Sequence, residues 1–369
     1  MSMSEAAGRA QCMAEAESVL GEPARSLEPL SHSRRRTATL EVWRVRTEHR
    51  SAVVKVVSTN ALAAGFATAG RASHPYFAAR EPRLYERGLP DAYGAAGIAL
   101  PGLLEAIERP DATALWLEDV DGASASDLTA AHYSTLARRR GRAQGAIVEG
   151  ESEGIDFPWS RDFLSIYLTI WDDVGWDRVH DDAAWDAPLM RAHFSPELRV
   201  RLLQLCAERH ELLSWAASLP QAICHHDVWP CNVFDQGEST TLIDWAFAGY
   251  GHLGADPGNL VTDSCGDLLL PAARLPELDA AACAGYREGL LDAGWRGDFR
   301  LARLGMCLMA AKWAWIVPHM LNLASADAHD VYGGRSVDSD HLFAERASML
   351  AFNAQLADEA RSLAAELGI

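Results

Sequence analysis

The sequence predicts an α+β protein of two lobes, a small N-terminal lobe with an antiparallel sheet and a larger, mainly helical C-terminal lobe. Its 369 residues are many for one compact core, which favours two lobes or domains. β-prone runs lie within residues 39–57, whereas helical patterns dominate from Ser126 onwards. We therefore expect an N-terminal lobe at 1–117, a hinge at 118–122 and a C-terminal lobe at 123–369.

The first lobe begins with an Ala- and Glu-rich stretch, residues 1–20, that predicts a helix. Thr39–Val45 alternates polar and apolar side chains, which is typical of a strand with one buried face. Residues 52–57 read A-V-V-K-V-V and predict a buried strand, joined to the first by a polar hairpin at 46–51. The lysine in this run, Lys55, is costly to bury unless a partner offsets its charge.

The second lobe carries helical patterns over most of its length. Residues 126–144 and 196–217 predict amphipathic helices. Asp256 precedes Pro257, the usual order of an N-cap and a first helical residue. We therefore interpret Asp256 first as a helix cap and second as a partner of the polar loop before it. The last third predicts three helices, at 278–291, 299–324 and 341–367.

The composition is that of a soluble globular protein, with 49% hydrophobic and 23% charged residues. We see no apolar run as long as a membrane span and no signal-peptide pattern, so we expect a cytoplasmic protein with no membrane partner. Acidic groups number 51 and basic groups 33, a net charge of −18. This balance argues against nucleic acid and attracts a cationic small molecule, although it also serves solubility. Seven scattered cysteines without a C-x-x-C pair predict reduced thiols rather than a disulfide or zinc framework.

The most informative stretch runs from Cys224 to Trp245 and reads C-H-H-D-V-W-P-C-N-V-F-D-Q-G-E-S-T-T-L-I-D-W. It carries three polar groups at fixed spacing, Asp227, Asn232 and Asp244. One carboxylate can orient an acceptor hydroxyl, while an amide oxygen and a second carboxylate can hold Mg²⁺ against nucleotide phosphates. The arrangement suits phosphoryl transfer.

A hairpin within this stretch brings two of the groups together. Residues 232–234 and 241–243 predict two strands joined by a polar turn. Pairing of these strands places Asn232 and Asp244 at one end, where a metal ion needs both oxygens.

The same stretch resembles the catalytic core of the aminoglycoside phosphotransferase and choline kinase family, distant relatives of protein kinases. That family carries H-x-D-x-x-x-x-N followed by a buried I-D-W or I-D-F, which match His225, Asp227, Asn232 and the I-D-W around Asp244. The resemblance implies a protein-kinase-like fold, ATP as phosphoryl donor, Asp227 as the catalytic aspartate, Asn232 and Asp244 as Mg²⁺ ligands and His225 as a brace of the loop. The family often has glycine where this chain has His226, a departure that bears on acceptor contacts rather than on the chemistry.

The resemblance also gives Lys55 a role, that of the strand lysine that contacts the α- and β-phosphates and pairs with a helical glutamate. The segment R-E-P-R-L-Y-E offers Glu81 and Glu86 as partners. We choose Glu81, and Glu86 stays open because the sequence does not fix the register.

Two further parts of a nucleotide site follow from the resemblance. Glu118 and Val120 lie in a hinge-like segment whose extended backbone can offer an N–H and a C=O to adenine. The turn expected to cover the phosphates, residues 30–37, contains no glycine. We expect Ser33, Thr37 or the neighbouring arginines to act as donors there, with a solvated basic turn as the alternative.

Acceptor contacts are expected from helical insertions of the second lobe. The acidic, Trp-rich segment 149–195 offers Asp172, Asp173 and Asp177, although a solvated helix face explains them equally well. Trp313 is a candidate acceptor wall, with burial in the core as the alternative.

The sequence therefore predicts an enzyme that moves the γ-phosphate of ATP, or of GTP, to a hydroxyl of a small molecule. Antibiotic modification of the aminoglycoside kind is one possibility, and a metabolic kinase of choline, homoserine or a sugar is the other. A catalytically inactive nucleotide-binding protein is the non-enzyme alternative. The oligomeric state does not follow from the sequence.

Overall fold

The computed structural model of the chain describes residues 3–32, 37–60, 65–66, 68–149, 157–324, 328–331 and 335–369. The first lobe consists of α1 (Met3–Leu20), β1 (Ser26–Pro29), β2 (Thr39–Arg46), β3 (Ser51–Ser58), α2 (Arg80–Arg87), α3 (Asp91–Ala95), β4 (Ile98–Ala99), β5 (Leu103–Arg109) and β6 (Ala112–Glu118). Five of the strands form an antiparallel sheet of order β1-β2-β3-β6-β5. The predicted hairpin of two N-terminal strands is β2 and β3.

Both faces of this sheet are covered by helices. On one face, Cys12 and Leu20 of α1 pack with Trp43 and Trp116 of the sheet. On the other face, Tyr85 of α2 packs against apolar side chains of β3 and β6. Burial of each large apolar side chain stabilises the lobe by roughly 1.5–3 kcal/mol. The period-two pattern of the strands thus builds two thin cores and leaves the end of the sheet next to the second lobe open for a site.

The second lobe is mainly helical. Its elements are α4 (Ala130–Glu149), α5 (Phe163–Thr169), α6 (Asp182–Trp185), α7 (Pro188–His193), α8 (Pro196–Trp215), β7 (Gln221–Cys224), β8 (Val233–Asp235), β9 (Thr240–Leu242), β10 (Gly249–His252), α9 (Ala255–Asp263), α10 (Leu275–Asp292), α11 (Phe299–Lys312), α12 (Ile316–Leu323), β11 (Ala328–Val331), β12 (Arg335–Asp338) and α13 (Ser339–Leu367). Strands β7 and β10 pair with each other, β8 and β9 form a hairpin, and β4 joins β9 in parallel.

Helices α4 and α10 approach each other closely because glycines lie where they meet. A Cβ atom at Gly289 would lie 2.0 Å from the carbonyl oxygen of Arg138, and one at Gly285 would lie 2.1 Å from that of Ser134. Any side chain there would force the helices apart. This contact fixes α4, which carries the buried Arg140 towards the loop after β7.

Most predicted elements lie within three residues of the observed ones, and two helices differ more clearly. The helix predicted at 299–324 is two helices, α11 and α12, interrupted at residues 313–315. The helix predicted at 126–144 begins at Ala130, after a short 3₁₀ turn at Ala125–Asp127. The interruption between α11 and α12 matters for the site, because Trp313 and Trp315 within it line the cavity described below.

One segment of the described chain, Phe299–Leu323, is long and apolar enough to cross a membrane, which the sequence reading did not count. Its most apolar window is 94% buried inside the protein. Such burial is typical of the core helices of globular proteins, which are as rich in apolar residues as membrane-spanning helices.

Candidate active site

The loop between β7 and β8, residues 225–232, is held in place by the carboxylate of Asp256. Asp256 Oδ1 accepts hydrogen bonds from the backbone N–H groups of His225 at 3.1 Å and His226 at 3.0 Å. Its Oδ2 forms a buried ion pair with Arg140 of α4. Asp256 lies within the first turn of α9 and not before it, so its interpretation as an N-cap is wrong. Its role is the second one considered, that of a partner of the loop.

His225 connects the loop to the β8–β9 hairpin. Its Nε2 donates to the carbonyl oxygen of Ile243 at 2.9 Å, and its Nδ1 accepts from the backbone N–H of Asp227 at 3.2 Å. Because a carbonyl only accepts and a backbone N–H only donates, these bonds select one neutral tautomer. Burial lowers the pKa of His225 to about 4. The ring therefore braces the loop and carries no charge at neutral pH.

His226 occupies a backbone conformation that favours glycine, with φ at +69°. Its ring stacks on Phe163 at 4.6 Å between centroids, and its Nε2 donates to the carbonyl oxygen of Tyr250 at 3.1 Å. Gly251 makes room for it, since a Cβ atom there would lie 2.4 Å from His226 Cε1. The family often has glycine where this chain has His226. Here the imidazole of His226 takes that place, and Gly251 leaves the space that the ring needs.

Asp227 and Asn232 contact each other across the loop. Asn232 Nδ2 donates to the carbonyl oxygen of Asp227 at 2.9 Å and to its carboxylate at 3.2 Å. Both acceptors are oxygens, so the orientation of the amide is fixed and Asn232 Oδ1 points elsewhere. Burial raises the pKa of Asp227 to about 6. A carboxylate of raised pKa is a better proton acceptor than an exposed one.

The hairpin brings Asn232 and Asp244 to the same end, as the strand pattern predicts. Val233 pairs with Leu242 in the register, and the N–H of Ile243 donates to the carbonyl oxygen of Asn232 at 3.1 Å. The side chain of Asp244 remains 40% exposed. An amide oxygen that accepts no hydrogen bond from the described residues and an accessible carboxylate form a donor set that fits a hard cation such as Mg²⁺.

Lys55 joins the two lobes through two ion pairs. Its Nζ lies 2.6 Å from Glu81 Oε2 on α2 and 2.7 Å from Asp244 Oδ1. Burial alone would lower the pKa of Lys55, but the carboxylates of Asp244 and Glu81 outweigh it and hold the pKa above its ordinary value. Glu86, the other glutamate considered, is exposed on the opposite side of α2. The register of the helix therefore pairs Lys55 with Glu81.

Helix α2 is anchored at its first residue by the fully buried guanidinium of Arg80. Arg80 donates hydrogen bonds to five backbone carbonyl oxygens. Three of them lie in the segment before the helix, and the other two belong to Pro158 and Ala246 of the second lobe. These bonds hold Glu81 at the position where Lys55 needs it.

The segment predicted as a hinge follows β6 and lines the cavity. The N–H of Glu118 donates to the carbonyl oxygen of Gly102 at 2.8 Å, whereas the backbone of Val120 makes no hydrogen bond to the described residues. Asp119 accepts from Arg44 Nε at 3.0 Å and from Ser51 Oγ at 2.8 Å, which ties the segment to the sheet. The backbone groups of Val120 are thus available to a ligand.

The predicted phosphate-covering turn is only partly described. Ser33 and the three arginines after it lie outside the described residues. Thr37 is described, and its hydroxyl accepts from the N–H of Thr39 at 3.1 Å, so it caps the start of β2 rather than lining the cavity. Ser31 and His32, which the sequence reading did not select, do line it.

These groups share one cavity of about 650 Å³ between the lobes. At one end it is lined by Leu117, Val120 and Lys55, and at the other by Trp313, which was predicted as an acceptor wall. Asp227 lines the same cavity. Asp172, Asp173 and Asp177 are exposed and are not among its described lining residues.

Comparison of the sequence with known protein families shows to which family the chain belongs. The profile of the phosphotransferase enzyme family matches residues 34–297, which is more than half of the chain. The chain belongs to this family. None of the curated proteins compared with this phosphotransferase is similar enough in sequence to count as a relative.

Solved structures resemble the phosphotransferase over nearly its whole length. One is spectinomycin phosphotransferase in complex with ADP and spectinomycin, 11% identical, with a TM-score of 0.51, covering 94% of this chain and 98% of that one. A microcompartment-associated aminopropanol kinase is 16% identical, with a TM-score of 0.51 and coverage of 95% and 98%. Amicoumacin kinase in complex with AMP-PNP, Ca²⁺ and its ligand is 13% identical, with a TM-score of 0.50 and coverage of 96% of each chain. The predicted kinase-like fold and the predicted class of enzyme are confirmed.

Several residues of the cavity lay beyond the sequence reading. Asp263 is the last residue of α9, Gly266 follows that helix, Arg346 belongs to α13, and Trp229 lies inside the catalytic loop itself. Only Trp229 carried a usable signal, since it lies two residues after Asp227 in the recognised motif. No motif marks the positions of the others.

Proposed function

We propose that the protein transfers the γ-phosphate of ATP to a hydroxyl group of a small molecule with the help of Mg²⁺. The observation that carries the proposal is the meeting of Lys55, Asp244, Asn232 and Asp227 in one cavity between the lobes. A structural salt-bridge network would explain Lys55 and Asp244 alone, but not an accessible carboxylate beside an amide and a second aspartate of raised pKa.

ATP would occupy the end of the cavity next to the first lobe. The unpaired backbone of Val120 offers hydrogen bonds to the adenine ring, and Leu117 and Val53 supply apolar contacts to its faces. Lys55, held by Glu81, would lie against the α- and β-phosphates. Recognition through the backbone admits GTP as an alternative donor.

Asn232 and Asp244 would hold the divalent cation, which when bound neutralises charge on the phosphate oxygens. Magnesium is the choice because the two donors are hard oxygens from an amide and a carboxylate. Lys55 Nζ would exchange its bond with Asp244 for bonds to phosphate as the nucleotide binds.

Asp227 would orient the acceptor hydroxyl and take its proton. In the reaction the acceptor oxygen forms a bond to the γ-phosphorus, the bond from that phosphorus to the β,γ-bridging oxygen breaks, and ADP leaves. The hydroxyl proton passes to the carboxylate of Asp227, whose pKa of about 6 allows it to be ionised at neutral pH.

The acceptor would be a small hydroxylated molecule bound at the end of the cavity that Trp313 lines, and the enzyme would work in the cytoplasm without nucleic acid or membrane partners. Antibiotic kinases and an aminopropanol kinase both stand among the similar structures, so antibiotic modification leads and a metabolic acceptor is second. The strongly negative charge of the chain favours an acceptor that carries an amine.

A coupled ADP-release screen over aminoglycosides, other antibiotics, amino alcohols and sugars would test the proposal. Asp227→Ala should abolish transfer and leave the binding of a nucleotide analogue nearly unchanged. Asp182→Asn, in an exposed ion pair outside the cavity, is the matched control and should keep full activity. Unchanged turnover in the Asp227 variant, or ADP release that does not depend on Mg²⁺, would contradict the mechanism.

A further inference from the structure

The acceptor end of the cavity carries two charged side chains that no part of the proposed mechanism uses. Asp263 ends α9, and Arg346 lies in the second turn of α13. Both line the same cavity as Asp227. Their elements are far apart in the sequence, so only the fold brings them together.

The two side chains are close to each other but do not pair. A Cβ atom placed on Gly266 would lie 3.3 Å from Asp263 Oδ1 and 3.9 Å from Arg346 Nη1, so both charges border the same point. No ion pair within 4.0 Å joins them among the described residues, nor does either side chain form a hydrogen bond there. Arg346 Nε is buried and has no hydrogen-bond partner in the part of the chain that the structure describes. Both functional groups are therefore unsatisfied on the cavity side.

Such an arrangement is unfavourable in the empty protein. A buried guanidinium and a buried carboxylate each lose hydration, and without a close partner little offsets the loss. Burial raises the pKa of Asp263 to about 8, although the ammonium of Lys312 opposes the shift, and burial lowers the pKa of Arg346. Asp263 therefore keeps a proton in the empty site at neutral pH, and an ammonium group placed beside it would favour its ionised form. A ligand that brings both a cation and an anion would satisfy both groups at once.

A purely cationic acceptor would not do so. It would satisfy Asp263 but leave the guanidinium of Arg346 without a counter-charge and repelled by its neighbour. A purely anionic acceptor would have the opposite fault. Both groups lie within 4 Å of one point beside Gly266, a spacing that suits two charged groups attached to one carbon atom of a small molecule.

We propose that the acceptor is a zwitterion, a hydroxylated compound with an ammonium group bound by Asp263 and a neighbouring carboxylate bound by Arg346. The inference rests on the proposed function and specifies the acceptor of that site. The indoles of Trp313 and Trp315 border the same end of the cavity and favour a cation next to their faces. The hydroxyl group, on the far side of the molecule from its two charges, then points towards Asp227.

Three matched probes separate the contributions. L-homoserine carries the hydroxyl, the ammonium and the carboxylate; 3-aminopropan-1-ol lacks only the carboxylate, and 4-hydroxybutyrate lacks only the ammonium. Phosphorylation of each by the full chain with Mg-ATP is measured as kcat/KM. We expect L-homoserine to exceed each analogue by about 10- to 100-fold, the value of one charged hydrogen-bond partner.

Two variants locate the effect. Arg346→Met should lower kcat/KM for L-homoserine by about 10- to 100-fold and leave that for 3-aminopropan-1-ol within a few fold. Asp263→Asn should lower kcat/KM for L-homoserine while leaving that for 4-hydroxybutyrate nearly unchanged. Arg361→Met, on the same helix but paired with Glu208 and Asp358, is the control and should not change the ratio of the probes.

The outcomes decide between the proposals. Equal or better use of 3-aminopropan-1-ol, loss of all probes alike in the Arg346 variant, or no transfer to any of the three probes overturns the zwitterion. Calorimetric titration with Mg-AMP-PNP then judges the proposed function separately. Nucleotide binding that is lost in Lys55→Met supports a phosphotransferase with a different acceptor, whereas no nucleotide binding by the native chain overturns the function as well.

Discussion

Replacement of Asp256 by asparagine should destabilise the protein by about 3–5 kcal/mol, the cost of breaking a buried ion pair by removing one partner. Asp256 is fully buried and Arg140 is 1% exposed, so water cannot replace the lost charge. The carboxylate of Asp256 accepts hydrogen bonds from the backbone N–H groups of His225 and His226. In the asparagine variant one of the two oxygens becomes an NH₂ group, which cannot accept and would face these donors or Arg140. Arg140 Nε and Nη1 have no hydrogen-bond partner among the described residues, and without Asp256 the guanidinium would keep only a long bond to the carbonyl oxygen of Ile223 and the faces of two aromatic rings.

Urea and thermal unfolding would measure this effect. At roughly 2 °C per kcal/mol for a cooperative unit of about 250 residues, we expect Tm to fall by about 6–10 °C. The turnover number should fall as well, because the same carboxylate fixes the backbone next to Asp227. Asp182→Asn removes one partner of an exposed ion pair and should change the free energy of unfolding by less than about 1 kcal/mol.

A double-mutant cycle completes the test. If the ion pair is the cause, Arg140→Met combined with Asp256→Asn should be less destabilising than the sum of the single changes, by about 2 kcal/mol or more. Additive effects, or an Asp256 variant as stable as the native protein, would refute the reasoning.

Three further predictions concern single positions. Glu81→Gln should weaken ATP binding and lower kcat/KM, whereas Glu86→Gln on the same helix should alter neither, as steady-state kinetics will show. Gly251→Ala should destabilise the protein by about 1–3 kcal/mol, because the added methyl group would clash with His226. When His226→Gly is present as well, Gly251→Ala should cost much less free energy of unfolding in urea. An equal cost in both backgrounds would show that the clash with His226 is not the cause. Burial holds the pKa of Asp263 at about 8 in the folded protein, against about 4 in the unfolded chain. Between these two pH values the folded state keeps a proton that the unfolded state has lost, so the free energy of unfolding should fall as the pH rises from 4 to 8. The variant Asp263→Asn should show a weaker dependence on pH. The same slope in the variant and the native protein would contradict the role of Asp263.

The parts that the sequence predicted well are those in which short-range patterns dominate. The spacing of Asn232 and Asp244 across a polar turn implies a hairpin, and the structure pairs them as the pattern requires. A lysine within an apolar strand implies a buried partner, and the resemblance of the segment around Glu81 to the family's sequence leaves two candidate glutamates for it. In each case the information lies within about 30 residues of the site.

The parts that the sequence did not reveal depend on contacts between distant elements. Asp256 has every local mark of an N-cap, and only the position of Arg140 on α4 shows that it serves the loop instead. The interruption at residues 313–315, in contrast, has a local cause that the sequence interpretation passed over: Pro318 has no N–H to donate to residue 314, and its ring crowds that carbonyl. Arg346 lies on a helix with no motif at all, and nothing in its neighbourhood indicates a role in binding.

The anchoring of α2 by Arg80 bears on how activity is controlled. Outward displacement of this helix would break five hydrogen bonds between carbonyl oxygens and the guanidinium of Arg80, which is buried from solvent. Because two of these carbonyl oxygens belong to the second lobe, α2 is fixed to both lobes at once. We therefore expect α2 to stay in place when substrates bind, so that Glu81 remains next to Lys55.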